Sequence, residues 1–362
     1  MLLLSLFLQV SDPAVKADAY IRKEMATRRI PGMAVAVVQD GKMVFEKAYG
    51  LANVEFKVPV TTSTRFIIAS TTKAWAATAI MMLVQQGKVG LNQPVGELVP
   101  GLPPSWQSVP VWRLMSHTSG LPDVMLNPNT GEMISHNRDS ALTLAGAKPI
   151  EFPVGTQWSY NQSNFTLLGM IIDRVTGTPF MTWILDNIAK PLGLQSPIYG
   201  DQRAIVPGRA SQYTKWELSG QGAPKDLDSV RATGMYQYDS WMQMAAGLNT
   251  TAGDLARFGE LVRTGGGGII PSDWIDDTFR GDEECRRAWL EGDREERAPD
   301  GHYRNKWWVF DPAGVMMALG IHGQMIYVDR LREVVAVKLS TWPTPLNDDA
   351  SFRVVDAIKA AM

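Results

Sequence analysis

One stretch of this chain limits its fold more than any other. Thr72 to Gln86 reads as a helix with apolar side chains on nearly every face (Trp75, Ile80, Met81, Leu83, Val84), and Gly87 supplies a natural C-terminal cap. A helix without a polar face has to be surrounded by the rest of the protein. It therefore requires a large core, which 362 residues with 45% hydrophobic side chains can build as one large domain or two interleaved ones. That composition, with 20% charged residues, excludes a disordered or collagen-like chain. The 35 basic and 37 acidic residues nearly cancel, which argues against a nucleic-acid binder. Cys285 is the sole cysteine, so neither an intrachain disulfide nor a cysteine-based zinc site can form.

The segments around this helix suggest how it is covered. Gly32 to Val38 and Lys42 to Gly50 are apolar runs separated by Asp40-Gly41, a hairpin signal. A second β-rich region lies near the other end, Gly314 to Val328 and then Glu333 to Leu339, interrupted by Asp329-Arg330-Leu331-Arg332. Asp348 to Met362 has the spacing of an amphipathic helix. The expected fold is α/β of the α+β kind: residues 11–90 and 300–362 form one antiparallel sheet flanked by helices, and 91–299 form an inserted, mainly helical lobe. Asn164 to Thr176, followed by Gly177, and Leu255 to Arg263 are further helices. The four glycines 265–268 lack a following Lys-Ser/Thr and read as a flexible connection, not a phosphate loop. The charge-dense 282–297 stretch reads as a solvated loop or helix face.

The N-terminus is equivocal. MLLLSLFLQV is too short to span a bilayer, and no Lys or Arg precedes it. Residues 1–10 read either as a partial export signal, implying a periplasmic or secreted protein, or as a plain apolar start of a cytoplasmic one. Asp12 and Pro13 then open a first helix that continues through Val15, Ala19 and Met25. No stable membrane span is expected.

The chemistry starts at Ser70-Thr71-Thr72-Lys73, the only Ser-x-x-Lys in the chain. Residues at i and i+3 share a helix face, so the amine can reach the hydroxyl, and the helix N-terminus favours a developing oxyanion. The bland alternative, a capping serine and a surface lysine, conflicts with the Ala-Trp-Ala-Ala that follows Lys73 and leaves it no solvated face. An unperturbed lysine is neutral in roughly one molecule in 2,500 at pH 7, a deficit of about 4.6 kcal/mol. Desolvation can close that gap and make Lys73 a general base; alternatively Lys73 stays charged and activates a tyrosine. Tyr160, in Trp158-Ser159-Tyr160-Asn161-Gln162-Ser163-Asn164-Phe165, is the candidate, against the plainer reading of an aromatic anchor beside a helix cap.

Ser70-x-x-Lys73, His117-Thr118-Ser119-Gly120-Leu121-Pro122 and the Tyr160-x-Gln-x-Asn-Phe run, in that order, resemble the serine β-lactamase and penicillin-binding-protein superfamily. The nearest subgroups are class C β-lactamases, family VIII carboxylesterases and 6-aminohexanoate-oligomer hydrolases, and the likeness runs from about Ile30 to Pro343. It implies a serine acyl-enzyme mechanism, with Ser70 as nucleophile and Lys73 and Tyr160 sharing the base and acid roles. It also implies a β-lactamase-like antiparallel sheet flanked by helices plus an all-helical lobe, with the site between them.

Two departures bear on substrate. Gln162 stands where the family has asparagine, and the family's Lys-Thr-Gly strand is absent: Ala318-Leu319-Gly320-Ile321-His322-Gly323-Gln324 takes its place. The Gly-Ile-His-Gly-Gln string, with Tyr303-Arg304-Asn305-Lys306-Trp307-Trp308 upstream, is similar to the nylon-oligomer hydrolases. By that resemblance the Ile321 N–H joins the Ser70 N–H as oxyanion hole, and Gln162, Gly320, His322 and Gly323 line the substrate position. Without the strand lysine, β-lactam and D-Ala-D-Ala substrates recede, and short neutral esters lead, with linear amides second. The small-molecule ester or amide is the only partner expected. His117 reads as a turn residue capping backbone groups at a helix end. The remaining histidines, His136 and His302, are scattered, so no metal site or cofactor is expected. Trp307 and Trp308 could line an acyl pocket or pack the core. A non-catalytic penicillin-type sensor is the alternative outside enzymes; it expects a transmembrane segment or signalling domain in the same chain.

Overall fold

The computed structural model describes residues 13–125, 137–200, 204–217, 225–232, 240–292, 301–310 and 314–341. In chain order, α1 (Pro13–Arg28) leads into β1 (Gly32–Gln39), β2 (Lys42–Asn53), β3 (Val58–Pro59), β4 (Phe66–Ile67) and α2 (Thr72–Gln85). The middle carries α3 (Val95–Leu98), α4 (Val111–Met115), α5 (Arg138–Gly146), α6 (Ser163–Thr176) and α7 (Phe180–Ile184). Short strands follow, β5 (Ile198–Tyr199), β6 (Tyr213–Glu217) and β7 (Lys225–Ala232), then α8 (Gln243–Ala246), β8 (Leu248–Thr250) and α9 (Ala252–Arg263). The chain continues with α10 (Ser272–Arg280), α11 (Glu283–Leu290), β9 (Gly301–Arg304), β10 (Trp307–Phe310), β11 (Val315–Gly320), β12 (Gln324–Asp329) and β13 (Val334–Ser340).

Eight strands form the main sheet in the order β3-β2-β1-β13-β12-β11-β10-β9, every pair antiparallel. The two ends of the chain meet at the β1–β13 seam, where Met33 pairs with Ser340 and Gln39 with Val334. The β1–β2 hairpin turns at Asp40 (φ 50°) and Gly41 (φ 75°), two left-handed residues that match the twist of the strands. Side chains alternate across β1. Ala34, Ala36 and Val38 join the large core with α2 and α9, whereas Met33, Val35 and Val37 join a second core with Ile21 of α1. Burial on both faces explains why β1 is a continuous apolar run and not an alternating one.

The buried helix α2 is the pillar of the larger core. Twelve of its residues, Thr72 to Leu83, are buried, and the Trp75 ring stacks on Phe258 of α9 at 4.4 Å between centroids. Helix α9 itself lies on β1, β12 and β13, so close that a Cβ on Gly259 would stand 2.6 Å from Val335. This helix falls within the 91–299 stretch expected to form the inserted lobe, yet its apolar stripe packs on the sheet. That middle region is also not all helical, since β4, β8 and β5 form a small three-stranded sheet and β6 pairs with β7.

Other differences are local. The Gly314–Val328 run is two strands, broken at Ile321-His322-Gly323, where His322 and Gly323 have positive φ. The charge-dense stretch contains α11, whose Cys285, Ala288 and Trp289 are buried at helical spacing. The glycines 265–268 all have positive φ and form a turn in which the Gly266 carbonyl accepts the Ile269 and Ile270 N–H groups. Gly177 closes α6 in the left-handed conformation, as expected of a cap. The expected Asp348–Met362 helix, the Asp12 cap and residues 1–10 lie outside the described residues. Among those that are described, no helix is long and apolar enough to cross a membrane.

The α2–α9 contact yields a first prediction. Trp75→Ala removes a fully buried indole stacked on Phe258, and is expected to lower unfolding stability by about 3–5 kcal/mol in a denaturant titration. A loss below about 1 kcal/mol would mean that α2 is not the core pillar described here.

Candidate active site

Strand β4 delivers the chain to the head of α2. Phe66 and Ile67 pair with Thr250 and Asn249, and the Ile68 N–H donates to Leu248 O at 2.9 Å. The backbone then turns through Ala69, whose φ of 47° is unusual for a residue with a Cβ, into a single 3-10 turn over Ala69–Thr71. This sharp strand-to-helix elbow sets Ser70 half-buried at the N-terminal end of α2. Thr72 reinforces it, its hydroxyl accepting the Leu248 N–H at 3.2 Å.

Lys73 is completely buried one turn along. Its Nζ donates to Ser70 Oγ at 3.2 Å and to the Ala245 carbonyl of α8 at 2.9 Å. The same nitrogen lies 4.9 Å from the centroid of the Tyr160 ring and 5.4 Å from that of Phe165. Ser70, Lys73 and Tyr160, drawn from α2 and from the loop before α6, thus meet in one place. The Lys73 nitrogen has two oxygen acceptors and two aromatic faces around it.

Strand β11 closes the other side. A Cβ on Gly320 would stand 2.5 Å from Ile68 O and 3.1 Å from Ser70 N, so only glycine permits this approach of backbone to backbone. Ile321 follows at the turn, half-buried. His322 is buried there, and its carbonyl accepts from Gln324 Nε2 at 3.3 Å and from Ser340 Oγ at 2.7 Å. Ala318, at the position of the family's lysine, is also buried and offers no charge. Gln162 is half-buried at the N-terminal flank of α6, its N–H donating to Asp123 Oδ2 at 3.2 Å.

The wall behind Tyr160 is aromatic. Trp158, Trp289 and Tyr303 are buried, with Tyr160 and Trp308 packed against them, and Tyr303 meets Tyr160 edge-on at 6.3 Å. Trp308 belongs to this wall, whereas Trp307 sits in the large core. Two charged residues here, Asp123 and Lys306, carry no sequence signal of a role. Asp123 accepts N–H groups from Met125 and Gln162; burial pushes its carboxyl pKa upward, opposed by those two bonds and by Lys73 and Lys148. Lys306 is buried in the β9–β10 turn, its N–H bonded to Met115 O at 2.9 Å. Desolvation first, and the nearby Lys73 second, hold its pKa well below the ordinary 10.5. Among the described residues, no group of His, Cys, Asp and Glu could hold a metal ion.

Comparison with known proteins identifies the family. A model of the family described as Beta-lactamase matches residues 17–360, and the chain belongs to that family. Its fold and relatives are those of serine hydrolases of the β-lactamase type. Esterase EstB of Burkholderia gladioli is 25% identical over 360 residues, covering 89% of each chain. Protein flp of Staphylococcus aureus (strain MW2) is 28% identical over 189 residues, 51% of this chain but only 38% of that one. Among solved structures, EstCE1, described as a hydrolase with promiscuous acyltransferase activity, superposes with a TM-score of 0.76 at 20% identity, covering 96% of this chain and 98% of its own.

Lys306 supplies a second prediction. Its lowered pKa means that the unfolded chain binds more protons than the folded one, so this residue makes stability rise with pH from the lowered folded value up to about 10.5. Lys306→Met is expected to raise the Tm at pH 7 and to flatten the stability–pH curve between pH 7 and 10. An unchanged slope would contradict a Lys306 pKa lowered by burial.

Proposed function

We propose that this protein hydrolyses short, neutral carboxylic esters through an acyl-Ser70 intermediate. The observation that carries the reading is the 3.2 Å contact between Lys73 Nζ and Ser70 Oγ at the head of a buried helix, with the Tyr160 ring beside the amine. Ser70 Oγ attacks the acyl carbon while its proton passes to the Lys73–Tyr160 pair. The carbonyl oxygen gains charge and is met by the N–H groups of Ser70 and Ile321; losing one such donor typically costs about 3–4 kcal/mol of transition-state stabilisation. The proton then goes to the departing alkoxide, and water attacks the acyl-enzyme with the same pair as base, returning Ser70 Oγ–H and releasing the acid. In this scheme the Gln162 side-chain amide reaches the acyl carbonyl, and Gly320 lets β11 approach Ile68 and Ser70 with no Cβ between them. His322, being buried, shapes the turn through its carbonyl.

Esters are favoured over charged substrates by the neutral Ala318, since a substrate carboxylate would find no cation on that strand. The likeness to esterase EstB along most of both chains supports the same choice. Linear oligomeric amides are the second reading, on the Gly320-Ile321-His322-Gly323-Gln324 string; an amide nitrogen must be protonated to leave, which places more demand on the proton donor.

Three variants and one substrate panel test this. Ser70→Ala should abolish turnover while stability changes by about 1 kcal/mol or less. Lys73→Ala and Tyr160→Phe should each lower kcat/KM by about 100- to 10,000-fold. On p-nitrophenyl esters of increasing chain length, a linear aminohexanoate dimer and nitrocefin, the short esters should be the best substrates. Faster turnover of the dimer or of nitrocefin would replace the ester assignment, and near-parent rates in Lys73→Ala or Tyr160→Phe would remove that residue from the mechanism.

A further inference from the structure

The loop that presents Tyr160 is held by one residue that the reaction scheme does not use. The His117 carbonyl accepts the Ser159 N–H at 3.0 Å, and its Nδ1 accepts the Asn161 N–H at 3.3 Å, so the backbone on both sides of Tyr160 is tied to it. The same Nδ1 meets the Asn164 side-chain amide at 2.9 Å. The Asn161 backbone N–H can only donate, so Nδ1 accepts, and the Asn164 amide then faces it through Nδ2 while its Oδ1 accepts the Ser119 hydroxyl at 2.6 Å. Two N–H donors therefore converge on Nδ1, which must be an acceptor, and the ring proton is on Nε2. The imidazole also lies against the Tyr160 ring, 4.4 Å between centroids. His117 has φ of 55°, a region that His, Asn and Asp enter more readily than other residues with a side chain.

We propose that His117 is a positioning residue that sets where the Tyr160 hydroxyl stands, and that it does so only as the uncharged Nε2–H form. A proton on Nδ1 would face two donors and release the loop. Complete burial, followed by the nearby Lys73 of α2 and Lys306 of the β9–β10 turn, pushes the His117 pKa well below its ordinary value, which keeps the acceptor in place at working pH. The other rings packed on the imidazole, Phe165 and Tyr303, bring no further charge. A catalytic group displaced by about 1 Å can lose about 100-fold in rate, which sets the size of the expected effect.

The inference rests on the catalytic role given to Tyr160, and a double-mutant cycle separates the two. His117→Gly, which suits the backbone but removes the acceptor and the ring, should lower kcat on p-nitrophenyl butyrate by about 100-fold with KM within about threefold. His117→Asn, which keeps an acceptor close to the place of Nδ1 and tolerates the φ, should lose only about tenfold. On a Tyr160→Phe background both losses should shrink to within about threefold, because the group being positioned is gone. If only the asparagine variant folds, its tenfold loss and the disappearance of that loss on the Tyr160→Phe background decide the matter. Either variant within threefold of the parent, or a loss that persists undiminished on Tyr160→Phe, would overturn the positioning role and leave Tyr160 untouched. A near-parent rate for Tyr160→Phe alone would overturn the reading of Tyr160 and this inference with it.

Discussion

An amine with no access to water, 3.2 Å from a hydroxyl at the head of a helix, is the constraint around which this molecule is arranged. Burying a charge or a neutral amine is costly unless polar partners are fixed beforehand. Here they are fixed by elements far apart in the chain: Ser70 by the elbow into α2, the Ala245 carbonyl by α8, and the Tyr160 and Phe165 rings by the loop and first turn of α6. None of these could hold position on its own. The apolar sides of α2 make the pocket dry, and the same sides tie it to α9 and the sheet through Trp75 and Phe258.

The sheet contributes rigidity at the other wall of the cleft. Because β1 from the N-terminal part pairs with β13 from the C-terminal part, strands β11 and β12 are locked beside a two-sided core. That places Gly320 against Ile68 and Ser70 with no room for a Cβ. Oxyanion stabilisation works through donors already in place before reaction, and in the proposed mechanism Ile321, in the turn directly after β11, takes its position from that braced strand.

Much of this could be read in advance, for identifiable reasons. The apolar run of β1, the Asp40-Gly41 turn and the Gly177 cap are local signals, and the structure has each of them. Lys73 betrayed its burial by its neighbours Ala74 to Ala77. What stayed hidden depends on tertiary partners. The period of α9 shows which face is apolar but not that Gly259 will lie on Val335. Polar neighbours mask the Cys285-Ala288-Trp289 stripe of α11. Asp123 is a single charge in an apolar string and Lys306 follows Arg304 and Asn305 at a turn, both ordinarily read as solvated, and the bonds of His117 to residues 159, 161 and 164 cross more than forty residues of sequence.

The proposed ester hydrolysis requires Ser70 to become an acyl acceptor because Lys73 faces it. The most direct measurement is intact-protein mass spectrometry with peptide mapping, on enzyme quenched by acid during turnover of a slow p-nitrophenyl ester. The proposed mechanism predicts one acyl group per chain, located on Ser70, and its loss when Lys73 is replaced by alanine. Ester turnover with Ser70 unmodified and the acyl group on another residue, or labelling of Ser70 that is as fast without Lys73, would contradict it.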